Sequence, residues 1–136
     1  MIHTTEKVIS GFSTTFRQWR ANSHCKYLHG YALWFKLIFE GELNECNWVI
    51  DFAAFKELKE ELKYYFDHTT VIAADDPMLE TFKNLAAEQL IQLRTLDSVG
   101  CEKFAEFVYN KAKNMGNLVS VTCYENENNS STFKKN

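Results

Sequence analysis

The sequence predicts an α+β fold. Apolar and polar residues alternate with period two in two early segments and one late one, the signature of half-buried strands. Three segments between them carry the 3.6-residue repeat of amphipathic helices. The resulting order, strand, strand, helix, helix, helix, strand, segregates the two kinds of element, as α+β folds do.

The first strand is expected over Lys7–Trp19, which is rich in Thr and Phe. The second, over Gly30–Glu42, is the clearest. Tyr31, Leu33, Phe35, Leu37 and Phe39 fall on one face, and Ala32, Trp34, Lys36, Ile38 and Glu40 on the other. Ala21–Leu28 forms the loop between them. After a short extended approach, Cys46–Ile50, a helix begins at Asp51, an N-cap residue, with the stripe Phe52, Phe55, Leu58, Leu62, Tyr65 and Phe66. A second helix starts at Asp76-Pro77, cap followed by proline, and is lined by Leu79, Phe82, Leu85, Ala86 and Leu90. A third runs from about Cys101 to Met115 on Phe104, Phe107, Val108 and Ala112, and Gly116 stops it. The last strand is Leu118–Glu125. The polar remainder is expected to be partly disordered, which gives one domain over 1–125 and a tail over 126–136. Three strands alone leave open sheet edges, and an oligomer that closes the sheet into a barrel would cover them.

With 46% hydrophobic and 24% charged residues in 136, the chain can bury the core of one domain, and the composition excludes a disordered protein. A net charge of -3 argues against a general nucleic-acid binder. No apolar run approaches the ~20 residues of a membrane span, and MIHTTEKVIS lacks a signal peptide's apolar core. The expected setting is the reducing cytoplasm. The cysteines Cys25, Cys46, Cys101 and Cys123 form no C-x-x-C pair, which argues against zinc ribbons and redox dithiols.

Three constellations carry chemistry. His24-Cys25 with His29 places a thiol among imidazoles, either a base-activated thiolate or a buried thiol beside solvent-facing rings. Asp67-His68 is either a carboxylate-oriented imidazole or a helix end where His complements the dipole. Glu125, at the end of the last strand, is either a solvated carboxylate or the acceptor of two parallel hydrogen bonds from an amidine-like edge such as a pterin or guanine.

Taken in order, these stretches resemble one family. Cys25, Lys26, Tyr27, Leu28, His29 and Gly30 resemble the C-x-x-L-H-G-H signature of the 6-pyruvoyltetrahydropterin and 6-carboxytetrahydropterin synthases. Asn47–Phe52 resembles their G-x-V-x-D-F segment, Phe66-Asp67-His68 their L-D-H motif, Tyr124-Glu125 their terminal glutamate, and Phe12–Phe16 their F-x-A-A-H strand. The resemblance implies a T-fold: an antiparallel sheet with helices on one face, joined into a barrel in a homotrimer or homohexamer, with sites between subunits. It also implies a fourth strand beyond the three. By the same resemblance the chemistry is lyase-type, on 7,8-dihydroneopterin triphosphate or a related pterin. Cys25 would be the base or nucleophile, Asp67 and His68 the proton-transfer pair, and Glu125 the pterin anchor. Glu102, kept in Val99-Gly100-Cys101-Glu102 where the family has P-T-x-E, would contact substrate.

The departures concern the metal. The family holds zinc with three histidines, and two of those positions are Phe16 and Tyr31 here, leaving His29. A catalytic zinc needs about three protein ligands, and Phe offers none, so family-type zinc is disfavoured. His24 could supply a ligand by swinging in, or Tyr31 a hydrogen bond where a metal would withdraw electrons. The alternative to an enzyme is a non-catalytic pterin- or purine-binding paralogue.

Overall fold

The computed structural model describes residues 1–136. Strand β1 spans His3–Phe16 and β2 His29–Gly41, with a 3-10 turn at His24–Lys26 between them. A second 3-10 turn, Phe52–Phe55, leads into helix α1, Lys56–Phe66. Then follow β3 (Thr69–Ala73), α2 (Leu79–Ala87), β4 (Leu93–Leu96), α3 (Cys101–Ala112), β5 (Leu118–Tyr124) and β6 (Ser130–Lys134). The six strands form one sheet in the order β4-β3-β1-β2-β5-β6. The four strands β1, β2, β5 and β6 are antiparallel neighbours, whereas β3 joins β1, and β4 joins β3, in parallel.

The alternation read in β2 sets the layers. Leu33, Phe35, Leu37 and Phe39 are all fully buried, and they share a core with Leu58, Leu62 and Phe66 of α1 and Phe104, Ala105 and Val108 of α3. Phenylalanines dominate it: Phe66 packs at 5.3 Å from Phe35 and 5.1 Å from Phe104, which in turn lies 5.0 Å from Phe16. Such tilted and edge-on contacts are the favoured aromatic geometry. The opposite face of the sheet carries Trp34 stacked on Tyr124 at 4.7 Å.

Several expectations shift. The first strand ends at Phe16, not Trp19, because Arg17 turns away to pair with Asp76. Asp51 does cap, its Oδ1 accepting from the Ala53 N–H at 2.8 Å, but it caps the 3-10 turn, and Phe52 lies 56% exposed. Asp76 is not the cap of α2, which starts at Leu79. Its carboxylate is buried in the Arg17 pair and accepts from Met78 N–H at 2.8 Å. Leu90 lies beyond α2 and is 66% exposed. The segment 126–136, read as a partly disordered tail, contains β6: Phe133 pairs with Val121 and stacks on Tyr109 of α3 at 5.0 Å. One apolar residue in a polar stretch gave no visible periodicity, yet it is the one that packs.

Candidate functional site

The Asp67-His68 pair is set by the end of α1. A helix leaves its last carbonyls without intrahelical partners. Here side chains from three strands take them. Arg94 Nε donates to Tyr64 O at 2.7 Å, Thr69 Oγ1 to Tyr65 O at 2.7 Å, and the buried Thr14 hydroxyl to Phe66 O. The chain then turns through His68, whose φ of 57° is uncommon for a residue with a side chain. Its N–H donates to Ser13 O at 2.6 Å, and its carbonyl accepts from Gln92 at 3.0 Å. Asp67 Oδ1 lies 3.0 Å from His68 Nδ1 and 3.1 Å from the Ser13 N–H. That N–H, ahead of the imidazole, holds the Asp67 carboxyl below the usual range. With its proton on Nδ1, His68 donates to Asp67 and turns Nε2 outward. The His68 side chain is 77% exposed, beside a surface cavity lined by Glu60, Lys63, Tyr64 and Arg94.

The thiol loop is tied separately. Ser23 Oγ accepts from the Cys25 N–H at 3.3 Å, and Gln18 N–H donates to Cys25 O at 2.9 Å. Cys25 is half-buried, His24 is exposed, and the two imidazoles of His24 and His29 meet edge to face at 5.9 Å. His29 Nδ1 is 2.8 Å from Tyr27 O, which fixes its ring.

Beside this loop lies a cluster that spacing alone only half reveals. Burial, then the Glu125 carboxylate, push the Tyr31 phenol up to about 12, with the Cys25 and Cys101 thiols adding to the effect. Cys101 Sγ points at Glu125 Oε2 from 3.8 Å, and Cys101, together with burial, pushes the Cys123 thiol up. Glu125, half-buried, therefore faces Tyr31 and Cys101, and Cys25 lies on the Tyr31 side of the group. Glu102 sits in the exposed first turn of α3, next to Gly100. Gly100 has φ 115°, a backbone conformation in which any side chain is strained, and a Cβ there would press on the Gln18 amide at 3.0 Å. Within one chain, Cys25, Tyr31, Cys101 and Glu125 come together, while the cavity beside Asp67-His68 contains none of them. Cys101 and Cys123 were not singled out by the sequence; they meet because α3 starts where β5 ends.

Phe16 and Tyr31 decide how the site relates to zinc. Phe16 pairs with His29 across the β1–β2 ladder, and Tyr31 with Thr14. Their rings stack at 4.6 Å and 26°, with Phe16 buried against Phe104. An aromatic pair packed into the core supplies no ligand, and no group of three His, Cys, Asp or Glu side chains is arranged to hold a metal. These residues do not fit a zinc ion held by three histidines.

The sequence matches the model of the 6-pyruvoyl tetrahydropterin synthase family over residues 6–136. The chain belongs to that family. No curated protein matches it. Among solved structures it is similar to an uncharacterised protein from Wolinella succinogenes, with a TM-score of 0.84 and 18% identity over 100% of this chain and 99% of that one. It is also similar to 6-pyruvoyl tetrahydropterin synthase from Caenorhabditis elegans, with a TM-score of 0.69 and 23% identity over 100% and 97%. The synthase from Plasmodium vivax gives 0.67 and 14% over 98% and 99%. The six-stranded α+β architecture is thus the T-fold of the synthase family, and this member keeps it with the aromatic pair in place. No helix is long and apolar enough to cross a membrane.

Proposed function

We propose that this synthase-family member is a lyase acting on 7,8-dihydroneopterin triphosphate or a related pterin, in the cytoplasm, as a homotrimer or homohexamer. The observation that carries the reading is the convergence of Glu125, Cys101 and Cys25 around Tyr31, from distant parts of the sequence, with Cys101 Sγ 3.8 Å from Glu125 Oε2. Glu125 accepts two parallel hydrogen bonds from the amidine-like edge of the pterin. Cys25 takes a proton from the substrate side chain, and Glu102 lies at the rim as a further polar contact. Asp67 and His68, which no contact joins to Cys25 within one chain, act from a neighbouring subunit: His68 carries the proton on Nε2, and Asp67 holds the tautomer. No step is assigned to zinc. The neutral Tyr31 phenol is a hydrogen-bond donor to the side-chain oxygen of the bound pterin.

Incubation of the pure protein with 7,8-dihydroneopterin triphosphate should consume it. Cys25→Ala should lower turnover at least about a hundredfold, the usual weight of a positioned general base. Glu125→Ala should raise KM more than it lowers kcat. Substrate left intact at high protein concentration, with and without added zinc, rejects the lyase reading. Binding of dihydroneopterin that Glu125→Ala abolishes, without turnover, would leave a pterin-binding protein.

A further inference from the structure

The three parallel strands β1, β3 and β4 end side by side, at Phe16, Ala73 and Leu96. In parallel sheets ligands are held in the crevice outside the carboxyl ends of the strands. Here the three segments that leave those ends enclose a cavity of about 240 Å³, lined by Gln18, Trp19, Arg20, Asp75, Ser98 and Lys103 among others. That volume is below the range of sites for drug-sized ligands and suits a small polar group. The walls are donors. Arg20 and Lys103 are cations, Gln18 and Ser98 offer an amide and a hydroxyl, and Asp75 is the one carboxylate in the lining.

Asp75 organises this cavity. It accepts from Trp19 Nε1 at 3.2 Å and from Arg20 Nη2 at 3.1 Å, and the guanidinium lies 4.2 Å from the indole ring centre. Next to these residues in the chain, Arg17 grips the buried Asp76 through Nε and Nη2 at 2.8 and 2.5 Å, tying together the two segments that carry Arg20 and Asp75. Arg20 thus keeps donors beyond the one given to Asp75, since a guanidinium carries five. Lys103 is engaged by Glu106 at 3.3 Å in an exposed pair, which costs little to exchange.

We propose that this crevice is an anion subsite that takes a phosphate group between Arg20 and Lys103. Its lining shares no residue with the Tyr31–Glu125 cluster. The phosphate has two sources: the phosphorylated side chain of the substrate, or free inorganic phosphate. The subsite does not depend on the pterin reading, because phosphate alone tests it.

The probes are inorganic phosphate and tripolyphosphate, against chloride at equal ionic strength. The readouts are thermal unfolding and the Trp19 indole N–H resonance in ¹H–¹⁵N spectra. Millimolar phosphate should raise Tm and move that resonance, and Arg20→Gln with Lys103→Gln should weaken the affinity about tenfold or more. Lys103→Gln alone, on an exposed helix turn, guards against misfolding of the double variant and should give part of that loss. If the phosphate is the substrate's, inorganic phosphate competes with dihydroneopterin triphosphate but not with dihydroneopterin, and the double variant raises KM for the triphosphate. If it is free phosphate, the two bind together and KM is unchanged. No movement of the Trp19 signal with phosphate, or an undiminished effect in the folded double variant, overturns the proposal.

Discussion

Arg17 and Asp76 show how much one residue can hold. The Asp76 side chain is 1% exposed, and that of Arg17 18%. Burial would raise the Asp76 carboxyl, but Arg17 and the Met78 N–H outweigh it and hold the group below the usual range. Removing one partner of a buried pair strands the other charge, so Asp76→Ala should cost about 3 kcal/mol in urea unfolding. Asp67 is depressed as well. A depressed carboxyl stabilises the fold above its unfolded pKa, and the contribution is lost as pH falls through the lower folded value. Acid unfolding should therefore set in below about pH 4, and Asp76→Ala should flatten that limb. Tyr31 works in the opposite direction. Its phenol is raised to about 12, so its contribution is intact below pH 10 and lost as pH climbs towards about 12. Tyr31→Phe should abolish the last phenolate step in an absorbance titration. The thiols sort by exposure: Cys46 and Cys25 should react with Ellman's reagent in the native protein, whereas buried Cys101 and Cys123 should react only on unfolding. Of these residues, Cys25, Asp67, His68 and Glu125 could be picked from the sequence, because each sits in a local motif. The Cys101–Glu125 approach and the Arg17–Asp76 fork could not, since both join residues that only the tertiary fold brings together.

Among the elements, β2 was legible because its alternation is long and one face is entirely apolar. The starts of α2 and β6 were not. Asp76-Pro77 carries the local chemistry of a helix start, but a tertiary ion pair claims the aspartate. In β6 the alternation is polar on both faces apart from Phe133, so nothing distinguishes it from a tail until Tyr109 and β5 are beside it. Short β3 and β4, each followed by loop residues, were hidden for another reason: β3 is buried at all five positions and lacks a period, as strands covered on both faces do. If β6 is structural, a chain stopped before Ser130 should lose roughly 2 kcal/mol, the weight of one aromatic side chain taken out of its packing. Phe133→Ala should reproduce most of that loss in thermal unfolding.

At the scale of the whole molecule the sheet is unfinished. β3 pairs only with Thr14–Phe16, so the stretch His3–Phe12 of β1 has no strand along that side, and β6 is open at the other end. Unpaired edges of this length invite another chain. Sedimentation should show a species of three or six chains, with a Tm that rises with protein concentration, as stability coupled to assembly requires. A chain that sediments as a monomer and still turns over substrate would contradict the placing of Asp67 and His68 across a subunit boundary.

The position of β2 has a consequence for how the protein is made. It pairs with β1 through a nearby loop, but its other edge waits for β5, with Trp34 opposite Tyr124, after three helices and two strands. On the ribosome, the β1–β2 hairpin therefore emerges before its partner, with an apolar face and a bare edge, and must persist until α1, β3, α2, β4 and α3 have all been synthesised. Lowering the translation rate through the α1–α3 region should increase aggregation of newly made chains more than the same slowing placed after β5.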